Sequence, residues 1–431
     1  MRLLGTMRVN DMDNLEIGGC DAVILAKKYG TPLYVFDTAL IRNNCETYLK
    51  TFKSTKTETE VIYASKAFLT LAMCRLIKEA GLSLDVVSGG ELFTAMKAEF
   101  PPERLYFHGN GKTVEELITA LQYNVGTIVV DNEFEIEMLQ YLCAELDKRV
   151  KVLLRVNPGI EAHTHAYIQT ANNDSKFGIS IFSDNIYDLI RAIHESYYLD
   201  LRGFHYHIGS QILDHTSFVK AIESMVGFID KVRTDSGYET KELNMGGGFG
   251  VYYSEHDNDL DLQQTLTSMV EAVETECKSR RFPIPKLLIE PGRSIVANAG
   301  TTLYKVTATK ETYGGRKFVF VDGGMTDNPR TALYDAIYEA ALANRMKDEP
   351  DTTFTIGGKC CESGDILIKS IQLPYPKQND ILAVASTGAY NYSMASNYNR
   401  IRKPAVVFVE NGKSKVVVKR ETYEDILRND L

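Results

Sequence analysis

Between residues 33 and 290 the apolar positions fall into two alternating rhythms. Short β-branched or aromatic runs give way, again and again, to longer segments whose apolar residues lie three and four apart, a pattern that predicts βα units feeding a parallel sheet. The strands centre on VIYA from Val61, LDVV from Leu84, LYFH from Leu105, TIVV from Thr127, KVLLRV from Lys151, GFHYH from Gly203, ELNM from Glu242 and KLLIE from Lys286. That makes eight units, the number that closes a (β/α)8 barrel. Between the third and fourth strands, Thr113 and Glu116 have the spacing of a capping box, and Val114, Leu117, Ile118 and Leu121 share one helical face. Ser217 to Val232 predicts a second amphipathic helix, before the seventh strand.

After Glu290 the helical rhythm stops. TTLYKVTA, KFVFV, DILIKSI, DILAVA, PAVVFVE and SKVVVKRE read as strands, the last two joined by Asn411-Gly412, a hairpin-turn dipeptide. LEIGG and the strand LYVFD from Leu33 precede the first unit and are expected to cross over to these later strands. The expected fold is therefore α/β: a TIM barrel over residues 38–290, and a second, mostly β domain (a barrel or sandwich) built from residues 1–37 and 291–431, which takes in the N-terminal strand.

Charge and composition narrow the function. With 48 Lys and Arg against 57 Asp and Glu, a net charge of −9 and no basic run, the chain lacks the footprint of a nucleic-acid binder. No stretch has the length of apolar residues a membrane span needs, and MRLLGTMRVNDMDN lacks the apolar segment of a signal peptide. Seven cysteines, an odd number without a CxxC, point to a reducing compartment, so a soluble cytoplasmic protein is expected.

In a parallel barrel the reactive face is the rim at the C-terminal strand ends. Here that rim carries Lys66; Ser88 to Gly90; His108, Gly109 and Asn110; Asp131; Asn157; His207, Gly209 and Ser210; Gly246 to Gly248; and Glu290, Gly292 and Arg293. Three successive glycines after a strand serve either as a tight turn or as a cradle of backbone N–H groups for a phosphate, and Ser210 and Gly292 favour the second. No GxxxxGK[ST] follows a strand, so an ATP-type loop is not supported. Lys66, following an apolar strand, is expected to be partly desolvated, with its pKa lowered towards amine chemistry. An amine, a phosphate site and an acid on one rim are what pyridoxal phosphate requires.

His205 and His207 lie two apart on a strand and are expected on one side of it, which would also suit a metal pair. The other histidines do not complete a ligand set, so no metal is expected; His207 is read as a flat ring against a cofactor and His205 as structural.

GTPLYVFD from Gly30, YASKA around Lys66, DVVSGGEL from Asp85, DSKFGI from Asp174, HIGSQI from His207, GGGFG from Gly246, EPGRS from Glu290, CESGD from Cys361 and GAYNYSMASNYN from Gly388 run in order along nearly the whole chain. In these motifs the chain resembles the fold-type III pyridoxal-phosphate decarboxylases, and within them the branch acting on diaminopimelate. The resemblance implies that Lys66 forms the Schiff base, His207 stacks on the ring, Glu290 keeps the pyridine nitrogen protonated, and Ser210, Gly247, Gly248, Gly292 and Tyr390 hold the phosphate, with Asp85 and Arg293 also at the cofactor. It implies substrate contacts from Arg293, Arg330, Tyr334, Glu362 and Tyr390, and Cys361 as the acid that reprotonates the substrate carbon.

A substrate with a second carboxylate and amine calls for cations and an anion at its far end; Arg293, Arg330 and Glu362 offer that set and favour meso-2,6-diaminopimelate, giving L-lysine and CO2. The alternative is another basic amino acid, of the ornithine, arginine, lysine or carboxynorspermidine type; remoter ones are a silent binding regulator and a metal-dependent hydrolase. The chain departs from the family at Gly358-Lys359-Cys360-Cys361, where GPxC is usual, which leaves a second thiol beside the expected acid. The resemblance further implies a homodimer in which the CESGD segment completes the neighbour's site, and HTHAYIQTANNDSKFGI after the fifth strand is expected to form a mobile loop over the site.

Overall fold

The computed structural model describes residues 1–159 and 175–431. The chain divides into two units: one of residues 45–250 and 259–292, the other of 1–44, 251–258 and 293–431.

The first unit is the barrel. Its strands are β1 (Thr59–Ala64), β2 (Ser83–Val86), β3 (Leu105–Phe107), β4 (Thr127–Val130), β5 (Val150–Asn157), β6 (Leu199–His205), β7 (Glu242–Asn244) and β8 (Lys286–Ile289). Each pairs in parallel with the next, β8 pairs with β1, and β4 pairs with β5 from Thr127 opposite Lys151 to Val130 opposite Leu154, which leaves no open edge. Ile62, Tyr106, Val129, Leu153 and Leu288, from five of these strands, form one buried cluster.

Polar caps start the helices that separate the strands. Thr70 accepts from the Met73 N–H, Asn132 from the Glu135 N–H and Asp261 from the Gln264 N–H. The capping box at Thr113 and Glu116 is complete in both directions and opens the helix Val114–Tyr123. The helix read from Ser217 to Val232 extends over His215–Ser236. Most of the segment after β5 expected to be a mobile loop lies outside the described residues. Its described end is tied to the barrel, where the Gly178 N–H donates to Asp131 Oδ1 (3.1 Å) and Ile179–Ser180 pairs with β5.

The second unit centres on the long strand Gly300–Glu311, antiparallel to Leu33–Asp37, Lys317–Val321 and Ile381–Val384. The N-terminal strand Leu33–Asp37 also pairs in parallel with Ala405–Glu410, so it sits between two strands from the far end of the chain. Asn411 and Gly412 both take positive φ, 51° and 73°, as a two-residue hairpin turn requires. Two strands of this sheet escape the sequence pattern, Ala340–Leu342 and Thr352–Gly357; the first is short and alanine-rich, and both take their identity from their partners in the sheet. No described helix is long and apolar enough to cross a membrane.

Candidate active site

On the barrel rim, β1 is followed by a single 3-10 turn, Ser65–Ala67. Ser65 and Ala67 are buried, but Lys66 between them is exposed. The strand-end position predicts a partly desolvated amine; the structure differs because the turn lifts this residue clear of the strand. The turn is anchored on both sides of the next unit, with the Ser65 N–H donating to Asp85 Oδ1 (3.0 Å) and the Ser65 hydroxyl to Glu91 Oε2 (2.7 Å). Burial pushes the Asp85 carboxyl up to about 6, with His108, Glu290 and Lys66 as further influences.

Glu91 was not singled out by sequence reasoning, although Ser88-x-x-Glu91 is a capping-box pattern. Ser88 does accept from the Glu91 N–H (3.3 Å), but the Glu91 carboxylate turns back to the Val87 N–H (2.8 Å) and to Ser65.

Glu290, directly after β8, is the most heavily attended side chain of the rim. His205 Nε2 lies 3.0 Å from Oε2, Asn244 Nδ2 donates to Oε1 over 2.8 Å, and His108 Nε2 lies 2.8 Å from Oε1. Burial would push this carboxyl up; His108 and His205 outweigh it and hold it well below the usual carboxylate range. Burial takes His205 itself down to about 4, so at neutral pH it serves Glu290 as an uncharged N–H donor. His108 and Asn244 as partners of Glu290 are a finding of the structure, since nothing in their spacing links them to residue 290.

His205 and His207 do not act as a pair. β6 ends at His205, which is buried against Glu290, while His207 lies beyond the strand, half-buried, with its Nδ1 accepting from the Gly247 N–H (3.2 Å). The two-residue alternation holds only while the strand continues. Burial, with Lys66 and Arg155 nearby, pushes the His207 imidazole well below its usual range. The ligand atoms of His108, His205 and Glu290 lie within 4.8 Å of one another, a fuller carboxylate and histidine set than the sequence predicts. Both imidazoles, however, present Nε2 to the carboxylate itself.

The glycine triplet directly follows β7. The Gly246 N–H donates to Asn244 Oδ1 (3.0 Å) and the Gly247 N–H to His207, so two of the three donors are spent within the turn. Among the described residues the Gly248 N–H meets no acceptor. A Cβ on Gly247 would run into the Glu290 carbonyl oxygen, and Gly248 combines φ of +109° with close approach to the Gly209 carbonyl. Gly292 packs on Ala64, and Ser210 is half-buried.

The second unit holds the other residues singled out in the sequence. Arg293 and Arg330 are buried, and their guanidinium carbons lie 4.8 and 5.3 Å from the centre of the Tyr390 ring. Arg293 Nη1 donates to the Tyr253 hydroxyl (2.6 Å), and Arg330 lies 5.4 Å from the Tyr334 ring. Arg330 Nε is buried and has no hydrogen-bond partner among the described residues.

Cys361 is exposed, its N–H donating to Asn399 Oδ1 (2.8 Å), and Glu362 beside it is exposed too. Cys360 is half-buried; burial and the neighbouring Asp365 push its thiol up to about 11. Cys361 opens into a cleft of about 600 Å3 lined also by Asp322, Lys359, Asn399, Arg400 and Arg402, none of them part of the cluster around Tyr390.

Residues 38–297 match the model of the pyridoxal-dependent decarboxylases, pyridoxal binding domain. The chain is 53% identical to the diaminopimelate decarboxylase of Bacillus subtilis, over its whole length and 98% of that protein. Among solved structures, a diaminopimelate decarboxylase from M. jannaschii superposes with a TM-score of 0.91 at 34% identity, covering 99% of this chain and 98% of that one, and its co-complex with L-lysine superposes equally well.

Proposed function

The chain belongs to the pyridoxal-dependent decarboxylases, and on that premise we propose that it removes one carboxylate of meso-2,6-diaminopimelate as CO2 and leaves L-lysine. The observation that carries this reading is Glu290, a buried carboxylate kept ionised by its neighbours on the rim that also bears Lys66. An anion so placed can hold a proton on a ring nitrogen.

The rim fits pyridoxal phosphate: an exposed amine on Lys66, a neutral ring on His207, and an N–H on Gly248 that meets no acceptor among the described residues. When bound, the cofactor supplies the electron sink that takes the bonding pair left behind by CO2. Lys66 would hold the aldehyde carbon of the cofactor through its amine. Glu290 would keep the ring nitrogen protonated, and Asp85 fixes the turn that carries Lys66. On this reading Ser210, Gly247, Gly248, Gly292, Arg293 and Tyr390 would hold the phosphate.

Substrate choice is assigned to charge. Arg293 and Arg330 receive carboxylate, with Tyr334 and Tyr390 beside them, and Glu362 receives the distal ammonium. Cys361 gives the α-carbon its proton. Its exposure, against the half-buried Cys360 with a thiol at about 11, supports Cys361 as the donor.

The cleft at Cys361 shares no lining residue with the arginine and tyrosine cluster of the same unit, which supports a homodimer in which Cys361 and Glu362 serve the neighbouring subunit's site. A cytoplasmic location goes with this reading, all seven cysteines being free thiols. The test is CO2 release by the cofactor-loaded protein from meso-diaminopimelate, with lysine, ornithine and arginine in parallel. Release from diaminopimelate with an equal yield of lysine is expected; release from another amino acid alone would overturn the substrate assignment.

A further inference from the structure

An ionised carboxylate offers about four lone-pair sites. On Glu290, Asn244 donates to Oε1 and His205 occupies one site on Oε2, while His108 Nε2 lies 2.8 Å from Oε1 but off the direction of a hydrogen bond, packed against that oxygen. Among the described residues Oε1 thus has two nitrogens packed against it and Oε2 one. His108 is itself held in place, since its backbone N–H donates to the Val86 carbonyl (2.8 Å) and its ring meets the edge of the His205 ring at 4.8 Å. The side chains of His108, His205 and Glu290 are 6%, 1% and 8% exposed, so water does not compete for these positions.

We propose that His108 is a positioning residue for the decarboxylation: with Asn244 it closes off Oε1 of Glu290, so that Oε2 alone is presented to the ring nitrogen of the cofactor. The inference rests on the reading of Glu290 as the ring-nitrogen partner. Besides the two imidazoles, the titratable or charged groups around Glu290 are Asp85 from β2, Tyr106 from β3, Arg155 from β5 and His207 beyond β6.

The experiment compares His108→Leu, which removes the polar nitrogen, with His108→Gln, which keeps one at similar reach. Each is loaded with pyridoxal phosphate, and the absorption spectrum of the bound cofactor is followed against pH together with steady-state kinetics. In His108→Leu the acid limb of the spectral titration is expected to move to higher pH, and kcat to fall about tenfold or more with KM within about twofold; His108→Gln should recover most of both. A spectral limb and kcat unmoved in His108→Leu would overturn the proposal, as would equal losses in both variants with the limb unmoved, which is the signature of packing alone. If His108→Leu fails to hold the cofactor, His108→Ala with added imidazole decides: recovery of the limb supports the proposal and no recovery overturns it. Failure of the underlying reading is separately visible, because Glu290→Gln would then keep the wild-type spectrum. Wild type that binds cofactor but leaves diaminopimelate intact would remove the substrate and not His108.

Discussion

The Gly247 N–H donates to Nδ1 of His207, which places the proton of the neutral imidazole on Nε2. His207 and His205 both stay uncharged when folded, the first well below its usual range and the second at about 4, whereas in the unfolded chain they take protons near pH 6.5.

The sign of the pH dependence follows. Below about pH 6.5 the unfolded state binds more protons at these rings, so the stability they allow is present above that pH and falls as pH drops towards 4. Asp85 works in the opposite direction: raised to about 6, it takes its proton in the folded chain first and gains stability as pH falls from 6 towards its ordinary value. Cofactor-free wild type is therefore expected to gain about 1 kcal/mol relative to Asp85→Asn between about pH 7.5 and 5, read from urea unfolding midpoints. A difference independent of pH would show that Asp85 is ionised throughout.

Arg330 is buried with Nε unpartnered among the described residues. Replacing it by Met should cost little folding stability, since the described groups around Arg330 are tyrosines and no described carboxylate pairs with it, and should raise KM for diaminopimelate about 100-fold through the lost charge-assisted pair. Calorimetry on the free protein and kinetics on the loaded one separate the two effects. A large drop in melting temperature would mean that Arg330 holds the fold rather than the substrate.

Gly247→Ala forces a methyl group onto the Glu290 carbonyl oxygen. The turn must open, at a cost of about 1–3 kcal/mol, which disturbs the Gly247 donation to His207 and, on the proposed assignment, the phosphate site. Weaker cofactor binding in equilibrium dialysis is expected, along with lower stability. Unchanged affinity would place the phosphate away from this turn.

The two adjacent thiols differ in access. Iodoacetamide at about pH 8 should modify Cys361 well before Cys360, whose thiol at about 11 is scarcely ionised there, as peptide mapping would register. Cys361→Ser should lose most activity and Cys360→Ser little. Mixing Lys66→Ala with Cys361→Ala subunits should restore up to about one quarter of wild-type activity, the share of intact sites in randomly exchanged dimers. No recovery despite proven exchange would refute shared sites.

The local pattern of residues determined much of this molecule. Eight β-branched runs separated by amphipathic segments dictate eight βα units, because side-chain periodicity is a property of each segment alone. Asn411-Gly412 dictates a hairpin turn, since both residues tolerate positive φ. The rim positions of Lys66 and Glu290 were legible because Glu290 directly follows its strand and Lys66 comes two residues after its own, and strand ends share one rim.

What each rim residue meets was decided by the tertiary structure. His108, Asn244 and His205 come from β-strand ends spread over more than a hundred residues, and they reach Glu290 once closure of β4 on β5 completes the ring. Periodicity carries no record of those contacts. The same holds for Lys66, exposed by a turn three residues long, and for the glycine triplet, two of whose N–H groups are taken up by Asn244 and His207. It holds also for Leu33–Asp37, an apolar run whose place between Gly300–Glu311 and Ala405–Glu410 is set by backbone hydrogen bonds to strands that the chain reaches only after the barrel is built. Local pattern specifies an element; long-range pairing specifies its neighbours, and the chemistry of this rim resides in the neighbours.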